Sequence, residues 1–300
     1  MKTTLAAPLR AWVLRAFPRE PGGIDYQQPA GAPGLFAPES ATWQIHADFA
    51  GMLSGGLCAL MLQTLHPAAL AGVWDHSNFR DDLVGRLRRT TNFVAATSYA
   101  AAADAQRLIE RVRRIHAKVR GHTESGAAYS ADDPALLTWV HVTEAYGFLH
   151  GYRRYAGPVP SADADRYYEE TRVVAEALGA REVPRSEAEV ASYFSSVQSQ
   201  LVFTERSRTV LQVLQRMTLP VPLPGVSRDV FLGAGAALLP EWASALLQRR
   251  PTQRLQARLA ATALAAMAPL FRAGLTDGPA QRACRRMGKD VGWLRRGFAT

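Results

Sequence analysis

The 300-residue chain is 48% hydrophobic and 20% charged, a balance typical of a globular protein and unlike that of a disordered one. Alanine and leucine dominate and alternating Val/Ile/Thr-rich runs are nearly absent, which favours helices almost throughout. The net charge of +9 comes mostly from arginines spread over many predicted helices, often beside acids. A nucleic-acid-binding protein usually gathers its basic residues on one face, so we expect no nucleic-acid partner.

The cysteine content and the N-terminus bear on the compartment. Cys58 and Cys284 lie far apart and predict neither a disulfide framework nor a thiolate metal site, which fits a reducing compartment. The first twenty residues lack the apolar core and small-residue cleavage site of a signal peptide. The most apolar stretch, 49–65, is shorter than the ~20 residues of a membrane-spanning helix. We expect a cytoplasmic protein, with peripheral membrane contact left open.

The predicted elements of the first half follow proline, glycine and capping signals. Residues 1–41 are rich in proline and glycine and predict an irregular arm. Ser40 or Thr42 is expected to cap a first long helix that stops before Pro67, and a loop holding 74–78 follows. Further helices are predicted at about 82–97, at 103–120 with Gly121 as C-cap, and from Pro134 to about 155.

The second half predicts further helices of similar character. They are expected at about 161–179, 186–194, 197–216, 227–248 and 251–275, with a basic last segment near 280–297. The break at Pro220, Pro222 and Pro224 has helical flanks and is interpreted as a loop. The fold class is therefore all-α, with an arm (1–41) and one helical domain (42–300).

All seven histidines lie between His46 and His150, in the first half of the chain. Neutral imidazole is the commonest protein ligand for a metal. His116 follows the spacing of an apolar helical stripe and is expected to point inward, as the axial ligand of a haem iron must. The alternative is a core histidine bonded to a backbone carbonyl. The predicted buried stripe consists of Leu108, Val112, Ile115 and Val119.

Three polar residues form a second pattern near 85–91. Arg86, Arg89 and Thr90 stand at positions i, i+3 and i+4, and therefore share one helical face. Two guanidinium groups beside a hydroxyl suit a phosphate or a haem propionate. The alternative is pairing with nearby acids, for which Asp81 and Asp82 are at hand.

The other histidines carry weaker signals. His66 precedes a proline at a helix end, and His76 stands in the predicted loop beside Asp75. His141 and Glu144 stand at i and i+3 and could hold the edge of a metal site, but the second such motif of a di-iron bundle is absent. The remaining histidines, His122 and His150, are interpreted as ordinary surface or helix-end residues.

Several motifs at these same positions resemble a known family. They are Thr42-Trp-Gln-Ile-His46, Leu65-His66-Pro67, the 71–79 run AGVWDHSNF, the 85–90 run GRLRRT, the 114–121 run RIHAKVRG, the 129–134 run YSADDP, Trp139-Val-His141 and the 165–170 run DRYYEE. They resemble the bacterial family of unknown function related to latex-clearing proteins (rubber oxygenases) and to the fungal oxygenase of mycophenolic acid synthesis. The resemblance covers roughly 35–242. It implies a globin-like helical core that holds one haem b, used with dioxygen to cleave carbon–carbon double bonds in isoprenoid chains.

The resemblance also implies roles for individual residues. His116 corresponds to the proximal iron ligand, with His141 and His66 as the alternatives, and the haem site is expected within 42–155. Arg86 and Thr90 resemble the arginine and threonine beside the haem. Arg89 stands where rubber oxygenases carry a lysine that can close the distal side of the iron. Arginine stays protonated and cannot ligate iron as a neutral amine, so an open or water-bound distal side is expected.

The function predicted from the resemblance is that of a haem b-dependent oxygenase. No clean match exists for the glutamate base of the rubber enzymes, and Asp75 or His76 is the substitute, which places Arg89, Thr90 and His76 in the predicted catalytic set. Those enzymes are secreted and this chain shows no export signal, so the expected substrate is an apolar, unsaturated, isoprenoid-like small molecule. Two alternatives remain: a haem sensor, carrier or peroxide scavenger, and a cofactor-free protein that docks on lipids through the basic segment 282–296.

Overall fold

The computed structural model describes residues 23–218 and 224–298, so the first 22 residues of the predicted arm and Pro220 and Pro222 of the predicted break lie outside the described residues. Within these ranges the fold is all-α, as predicted, with a single two-stranded sheet. The helices of the first half are α1 (Ala41–His46), α2 (Phe49–Gln63), α3 (Pro67–His76), α4 (Leu83–Tyr99), α5 (Ala102–His116) and α6 (Pro134–Tyr155). Those of the second half are α7 (Ser161–Leu178), α8 (Glu187–Val197), α9 (Glu205–Arg216), α10 (Pro224–Ala236), α11 (Glu241–Leu246), α12 (Pro251–Gly274) and α13 (Pro279–Arg286).

The first predicted long helix is in fact two helices, because Asp48 interrupts it. Ser40 caps α1 by accepting a hydrogen bond from the Trp43 amide at 3.1 Å, as predicted. The Asp48 carboxylate then caps α2 by accepting from the Gly51 amide at 2.7 Å. The same buried carboxylate pairs with Arg272 of α12 at 2.8 Å. A partner more than two hundred residues away therefore fixes a helix boundary that local sequence does not reveal.

The helix around His116 is shorter than predicted. It ends at His116, and strands β1 (Arg120–His122) and β2 (Ala128–Ser130) follow as an antiparallel hairpin. Gly121, predicted as a C-cap, lies in β1 opposite Tyr129, where a Cβ would come within 2.9 Å of the tyrosine hydroxyl. The predicted 74–78 loop was also wrong in part, since α3 extends through His76.

Two predicted helices of the second half are each interrupted. The 197–216 prediction divides into a 3-10 turn (Gln198–Gln200) and α9, which Thr204 and Ser207 begin with a capping box. The 227–248 prediction divides into α10 and α11, with Pro240 at the N-cap of α11. The basic last segment divides similarly into α13 and a 3-10 turn (Val291–Arg295).

The centre of the fold is a backbone-to-backbone contact between α2 and α6. A Cβ at Gly55 would stand 2.3 Å from the Gly147 carbonyl oxygen, and a Cβ at Gly147 would stand 2.3 Å from the Gly55 carbonyl oxygen. One turn away, a Cβ at Gly151 would stand 2.2 Å from the Gly51 carbonyl oxygen. No real Cβ tolerates these distances, so only glycine permits this approach.

Two further helices cover α2 from another side. A Cβ at Gly235 of α10 would come within 2.7 Å of the Ser54 carbonyl oxygen of α2. The rings of Phe49 in α2 and Phe271 in α12 approach to 5.3 Å between centroids. Helix α2 is therefore the buried axis around which α6, α10 and α12 pack.

Arg286 anchors residues 23–40 to this domain. Its side chain is only 3% exposed and donates hydrogen bonds to the carbonyl oxygens of Tyr26, Ala32 and Tyr99 at 2.7 to 2.9 Å. The described part of the arm therefore packs on the helical domain through a buried guanidinium. The division of the chain into an arm (1–41) and a helical domain (42–300) stays a prediction.

Other arginines of the 282–296 segment are also engaged within the protein. Arg282 and Arg285 both pair with Asp277, and Arg296 pairs with Asp290 at 2.9 Å. Their charges are therefore partly neutralised by acids of the chain itself, which does not favour this segment as a lipid-docking element.

Among the described residues, no single helix is both long and apolar enough to cross a membrane. Two bent pairs meet the length and composition criteria together, namely α2 with α3 at 103° and α12 with α13 at 40°. Helix α2 is largely buried, as a core helix of this composition is.

The glycine contact gives a stability prediction with a neighbouring control. Gly55→Ala places a methyl group against the backbone of α6, so we expect the free energy of unfolding to fall by about 1–3 kcal/mol or more. Gly56→Ala adds a methyl that meets only Phe148 at 3.6 Å, an ordinary contact, and should be neutral or stabilising by up to ~1 kcal/mol through helix propensity. Urea denaturation of both variants measures the difference. Equal stability of the two variants would contradict the contact.

Candidate functional site

The first candidate residues lie on α4 and α5, two helices that contact one another and that only residues 100 and 101 separate, here called the α4–α5 hairpin. Arg86, on α4, is fourteen residues before this connection, and His116, the last residue of α5, is fifteen residues after it. The predicted propionate-binding arginine and the predicted iron ligand therefore lie on consecutive helices, each about four turns from the connection.

His116 ends α5 on its inward face, as predicted. Its ring is half-buried, and its Nδ1 is buried without a hydrogen-bond partner among the described residues. Burial lowers the pKa of His116, while the charge of Asp132 acts in the opposite direction. The imidazole is therefore held neutral and has one nitrogen that no described group satisfies. No other histidine in the described residues has such a nitrogen.

The stripe predicted around His116 was wrong, because Leu108, Val112 and Val119 are only half-buried. Ile115 is 51% exposed rather than buried, and the buried residues of α5 are Ala105 and Ile109. The true stripe therefore runs from Ala105 to Ile109 and on to the half-buried His116. Ile115 leaves a large apolar side chain uncovered directly beside the imidazole.

Arg86 is half-buried on α4, and its side chain makes no hydrogen bond or ion pair with any described residue. Burial lowers the pKa of its guanidinium, and the neighbouring charge of Arg89 lowers it further. The predicted alternative, pairing with Asp81 or Asp82, does not occur at Arg86. An unpaired cation in this environment can bind an anion.

Arg89 and Thr90 share the helical face of Arg86 but are exposed. Arg89 lies 3.6 Å from the Asp82 carboxylate and donates to Asn78 at 3.5 Å, so for this residue the alternative of pairing with a nearby acid is correct. The Thr90 hydroxyl donates to the Arg86 carbonyl oxygen at 3.4 Å. Both side chains can still reach a group bound against this face.

Asp75 and His76 belong to a surface network rather than to a buried acid–base pair. His76 is exposed, and its Nε2 donates to the Arg120 carbonyl oxygen at 3.1 Å. Asp75 accepts a hydrogen bond from the Tyr129 hydroxyl at 3.0 Å and lies 4.0 Å from Arg206. These contacts tie the end of α3 to the β hairpin that follows His116. A catalytic role for His76 stays a prediction.

A second polar cluster lies deeper, where His46 meets α4 and α7. The Ser98 hydroxyl donates its single proton to the Val94 carbonyl oxygen at 2.7 Å, so its oxygen must accept the 2.7 Å bond from His46 Nδ1. His46 Nε2 then carries a lone pair and accepts from the Tyr167 hydroxyl at 2.9 Å. Burial, and secondarily the charge of His141, lowers the pKa of His46 to about 3. His46 is therefore a neutral imidazole with a defined tautomer.

His141 and Glu144 follow one another on the inner side of α6. Burial lowers the pKa of His141 to about 4 and raises the pKa of Glu144 to about 7. Among the described residues no group of three or more His, Cys, Asp or Glu side chains is arranged to hold a metal ion, so these two residues do not form the edge of such a site. Glu144 can instead hold or release a proton near neutral pH.

His66 has a structural use in the fold. It is the N-cap of α3, and its Nδ1 accepts a hydrogen bond from the Ala69 amide at 3.4 Å. Its ring lies 5.8 Å from that of Trp139, and burial lowers its pKa. His66 is thus engaged as a cap, whereas His116 has a free buried nitrogen.

The structure therefore places Arg86, Arg89 and Thr90 on one face of α4 and His116 at the end of α5, and it places His46 and its partners in a separate cluster. Sequence reasoning missed Ser98 and Tyr167 as partners of His46. Tyr167 lies within the 165–170 run that carries the family resemblance, but nothing in its spacing indicates a contact with a residue 121 positions away.

Comparisons with known proteins bear on the family and the fold. The model of a protein family described as ER-bound oxygenase mpaB/B'/Rubber oxygenase, catalytic domain, matches residues 43–273. A solved structure of latex clearing protein LCP in the closed state superimposes with a TM-score of 0.51 and 18% sequence identity, covering 95% of this chain and 84% of that chain. At this identity the likeness shows a shared fold. No curated protein matches the chain in sequence.

The buried histidines predict a loss of stability in acid. His46, His141 and His150 have folded-state pKa values of about 3, 4 and 4 against an ordinary 6.5, so the unfolded chain binds more protons below pH 6.5. The free energy of unfolding should therefore fall as the pH drops from 6.5 towards 4. Glu144 opposes this, since its raised pKa stabilises the fold at low pH and the contribution is lost as the pH rises through about 7. Because three histidines lower the free energy of unfolding in acid and one carboxyl group raises it, the net change should be a loss of stability.

The variant His46→Gln isolates one of these contributions. Glutamine can donate to Ser98 and accept from Tyr167 without titrating, so the variant should show a shallower decline in stability below pH 6.5. Urea unfolding across this pH range measures both slopes. Identical slopes would show that His46 does not titrate as its burial requires.

Proposed function

We propose that this chain, which belongs to the family of ER-bound oxygenase mpaB/B' and rubber oxygenase catalytic domains, is a haem b-dependent oxygenase. Its substrate would be an apolar, unsaturated, isoprenoid-like small molecule, oxygenated or cleaved at a carbon–carbon double bond with dioxygen as co-substrate. The family description supports oxygenase chemistry. The observation that carries the haem proposal is the fully buried, unpartnered Nδ1 of His116, together with the unpaired guanidinium of Arg86 on the preceding helix.

The residues at the end of the α4–α5 hairpin fit a haem in three respects. A buried imidazole nitrogen without a partner suits a ligand whose counterpart lies outside the polypeptide. A half-buried unpaired guanidinium suits a propionate. The uncovered Ile115 suits the apolar face of a porphyrin. One site thus offers a metal ligand, an anion partner and an apolar contact.

The proposed roles follow from this chemistry. His116, held neutral by burial, would bind the iron, and its position on a helix fixes the direction of the ring. Arg86, with Arg89 beside it, would neutralise propionate charge, and Thr90 would offer a hydroxyl on the same face. Haem, when bound, supplies the redox chemistry that activates dioxygen.

The rest of the interior contributes polarity without charge. His46 and His141 are neutral at physiological pH because burial lowers their pKa values. Glu144, with a pKa raised to about 7, can hold a proton on its carboxyl group or release it. These buried groups would present an apolar substrate with uncharged imidazoles and one carboxyl group that can donate a proton. A haem sensor or carrier would share the site, but would not consume oxygen when an isoprenoid is added.

The identity of the iron ligand is tested by His116→Ala. This variant should lose the Soret band after haem supplementation, because it removes the imidazole whose fully buried Nδ1 has no hydrogen-bond partner among the described residues. The matched control His122→Ala removes an exposed histidine of the adjacent strand and should keep wild-type spectra and oxygen consumption with an isoprenoid substrate. Retained haem with unchanged spectra in His116→Ala would transfer the role to His141 or His66.

Replacing Arg86 should stabilise the haem-free protein and weaken its affinity for haem. Arg86→Gln removes a partly buried charge that Arg89 repels, so the haem-free protein should gain about 0.2–0.5 kcal/mol in free energy of unfolding. The same variant should bind haem about tenfold more weakly, because a charged hydrogen-bond donor to the propionate is lost. Titration with haem and urea denaturation measure the two effects. Arg111→Gln, at an exposed position of α5, is the control. If stability and haem affinity both rose or both fell in Arg86→Gln, this result would contradict propionate binding by Arg86.

A further inference from the structure

Helix α12 has apolar side chains on two opposite faces, and the described residues cover only one. Its inner face packs through Ala257, Leu264 and Phe271, all of which are buried. Its outer face presents Leu255, Leu259, Met267 and Leu270 with exposed fractions of 58, 63, 39 and 49%. These are four of the eight large hydrophobic side chains that stand exposed in the described residues. A helix that is apolar all round requires a partner on its open side.

Basic residues without acidic partners surround one end of this outer face. Between 249 and 274 the sequence contains no aspartate or glutamate. Of its arginines, Arg272 pairs with Asp48, but Arg249, Arg250, Arg254 and Arg258 form no ion pair among the described residues. The N-terminus of a helix is itself the positive end of its dipole. The start of α12 is therefore a region of uncompensated positive charge.

We propose that the outer face of α12, defined by Leu255, Leu259, Met267 and Leu270 with Arg250 and Arg258, docks on the surface of an anionic lipid bilayer. The leucines insert among the acyl chains, and the arginines contact lipid phosphates. This combination of an apolar stripe with flanking arginines is what an interfacial helix uses to bind a membrane. The proposal does not depend on the proposed oxygenase function.

Two other occupants are less compatible with the charge and size of this face. Residues 1–22 contain Lys2, Arg10, Arg15 and Arg19 but a single acid, Glu20, so this segment would bring like charge to the arginines. From position 255 to 270 the stripe is about 22 Å long, and it is about 10 Å wide, the diameter of one helix. The area of this strip, roughly 220 Å², is well below the roughly 800 Å² that each partner of a stable dimer buries. Charge complementarity thus favours an anionic surface over a second copy.

Vesicle co-sedimentation of the full chain tests the proposal. The protein should bind vesicles that contain phosphatidylglycerol and bind pure phosphatidylcholine vesicles much more weakly. The double variant Leu255→Ser/Leu259→Ser should lower the partition coefficient at least tenfold. Arg250→Gln/Arg258→Gln should lower it about tenfold or more on anionic vesicles only, and added salt should mimic it. The control Val173→Ser/Val202→Ser changes exposed apolar residues outside α12 and should bind as the wild type does.

Several results would overturn the proposal. Wild-type protein that fails to bind anionic vesicles, or leucine variants that bind as the wild type does, would do so. A dimer in light scattering that the leucine variants convert to monomer, with vesicle binding unchanged, would assign the face to a second copy. Faster proteolysis within residues 1–22 of the leucine variants, with vesicle binding unchanged, would assign the face to that segment. The changed side chains are exposed, and unchanged thermal melting verifies that the variants fold.

Discussion

The glycine contact between α2 and α6 determines where the polar side chains of the interior lie. Two helices that touch through Gly51, Gly55, Gly147 and Gly151 cannot slide past one another without forcing a side chain into backbone. The register of the antiparallel pair is therefore fixed. Hydrophobic burial alone would stabilise many registers of an Ala/Leu-rich pair, whereas close backbone contact selects one.

This fixed register explains the surroundings of two histidines. His46 and His66 stand just beyond the two ends of α2, and each meets an aromatic ring of α6. His46 lies 5.2 Å from Phe148, and His66 lies 5.8 Å from Trp139, between ring centroids. Because α2 and α6 are antiparallel, the earlier histidine contacts the later aromatic residue. The histidine-rich first half of the chain thus divides into separate environments, which leaves His116 at another place in the fold.

Local sequence predicted the features that local physics controls. Ser40 and the Asp133-Pro134 pair begin helices by capping, and Gly179 ends α7 with a φ of 115°, a conformation that glycine adopts without strain. The inward direction of His116 followed from helical spacing and was correct. Its neighbour Ile115 was assigned to the same stripe and is exposed, because spacing cannot show which side of a helix lacks a covering element.

The features that sequence missed all depend on distant partners. Asp48 interrupts a helix because Arg272 pairs with it, and Ser98 and Tyr167 set the tautomer of His46 from two other helices. The sequence did not predict the glycine contact either. A glycine in a helical pattern lowers the predicted stability of that helix, but it does not indicate which other helix packs against it. The residues of the candidate haem site could be named from the sequence because they lie on two consecutive helices, and their role stays a prediction.

The chain carries a net charge of +9, and its basic residues differ in whether they have an acidic partner within the protein. With 35 basic and 26 acidic residues, a one-to-one pairing would leave nine cations without an acid of the chain (35 less 26). Many arginines pair with acids, and one, Arg286, is satisfied by backbone carbonyls. Arg86 on the half-buried face of α4 and the arginines at the start of α12 have no anionic partner among the described residues.

These two places differ in the anion that they can accept. Arg86 is half-buried and has Arg89 as its charged neighbour, an arrangement that suits a single small anion such as a carboxylate. The α12 arginines are spread along a helix beside exposed leucines, and that arrangement suits an extended anionic surface. Because arginine does not lose its proton at ordinary pH, both sites stay cationic wherever the fold is stable. The two proposed binding sites would each place an anion against arginines that the described residues leave unpaired.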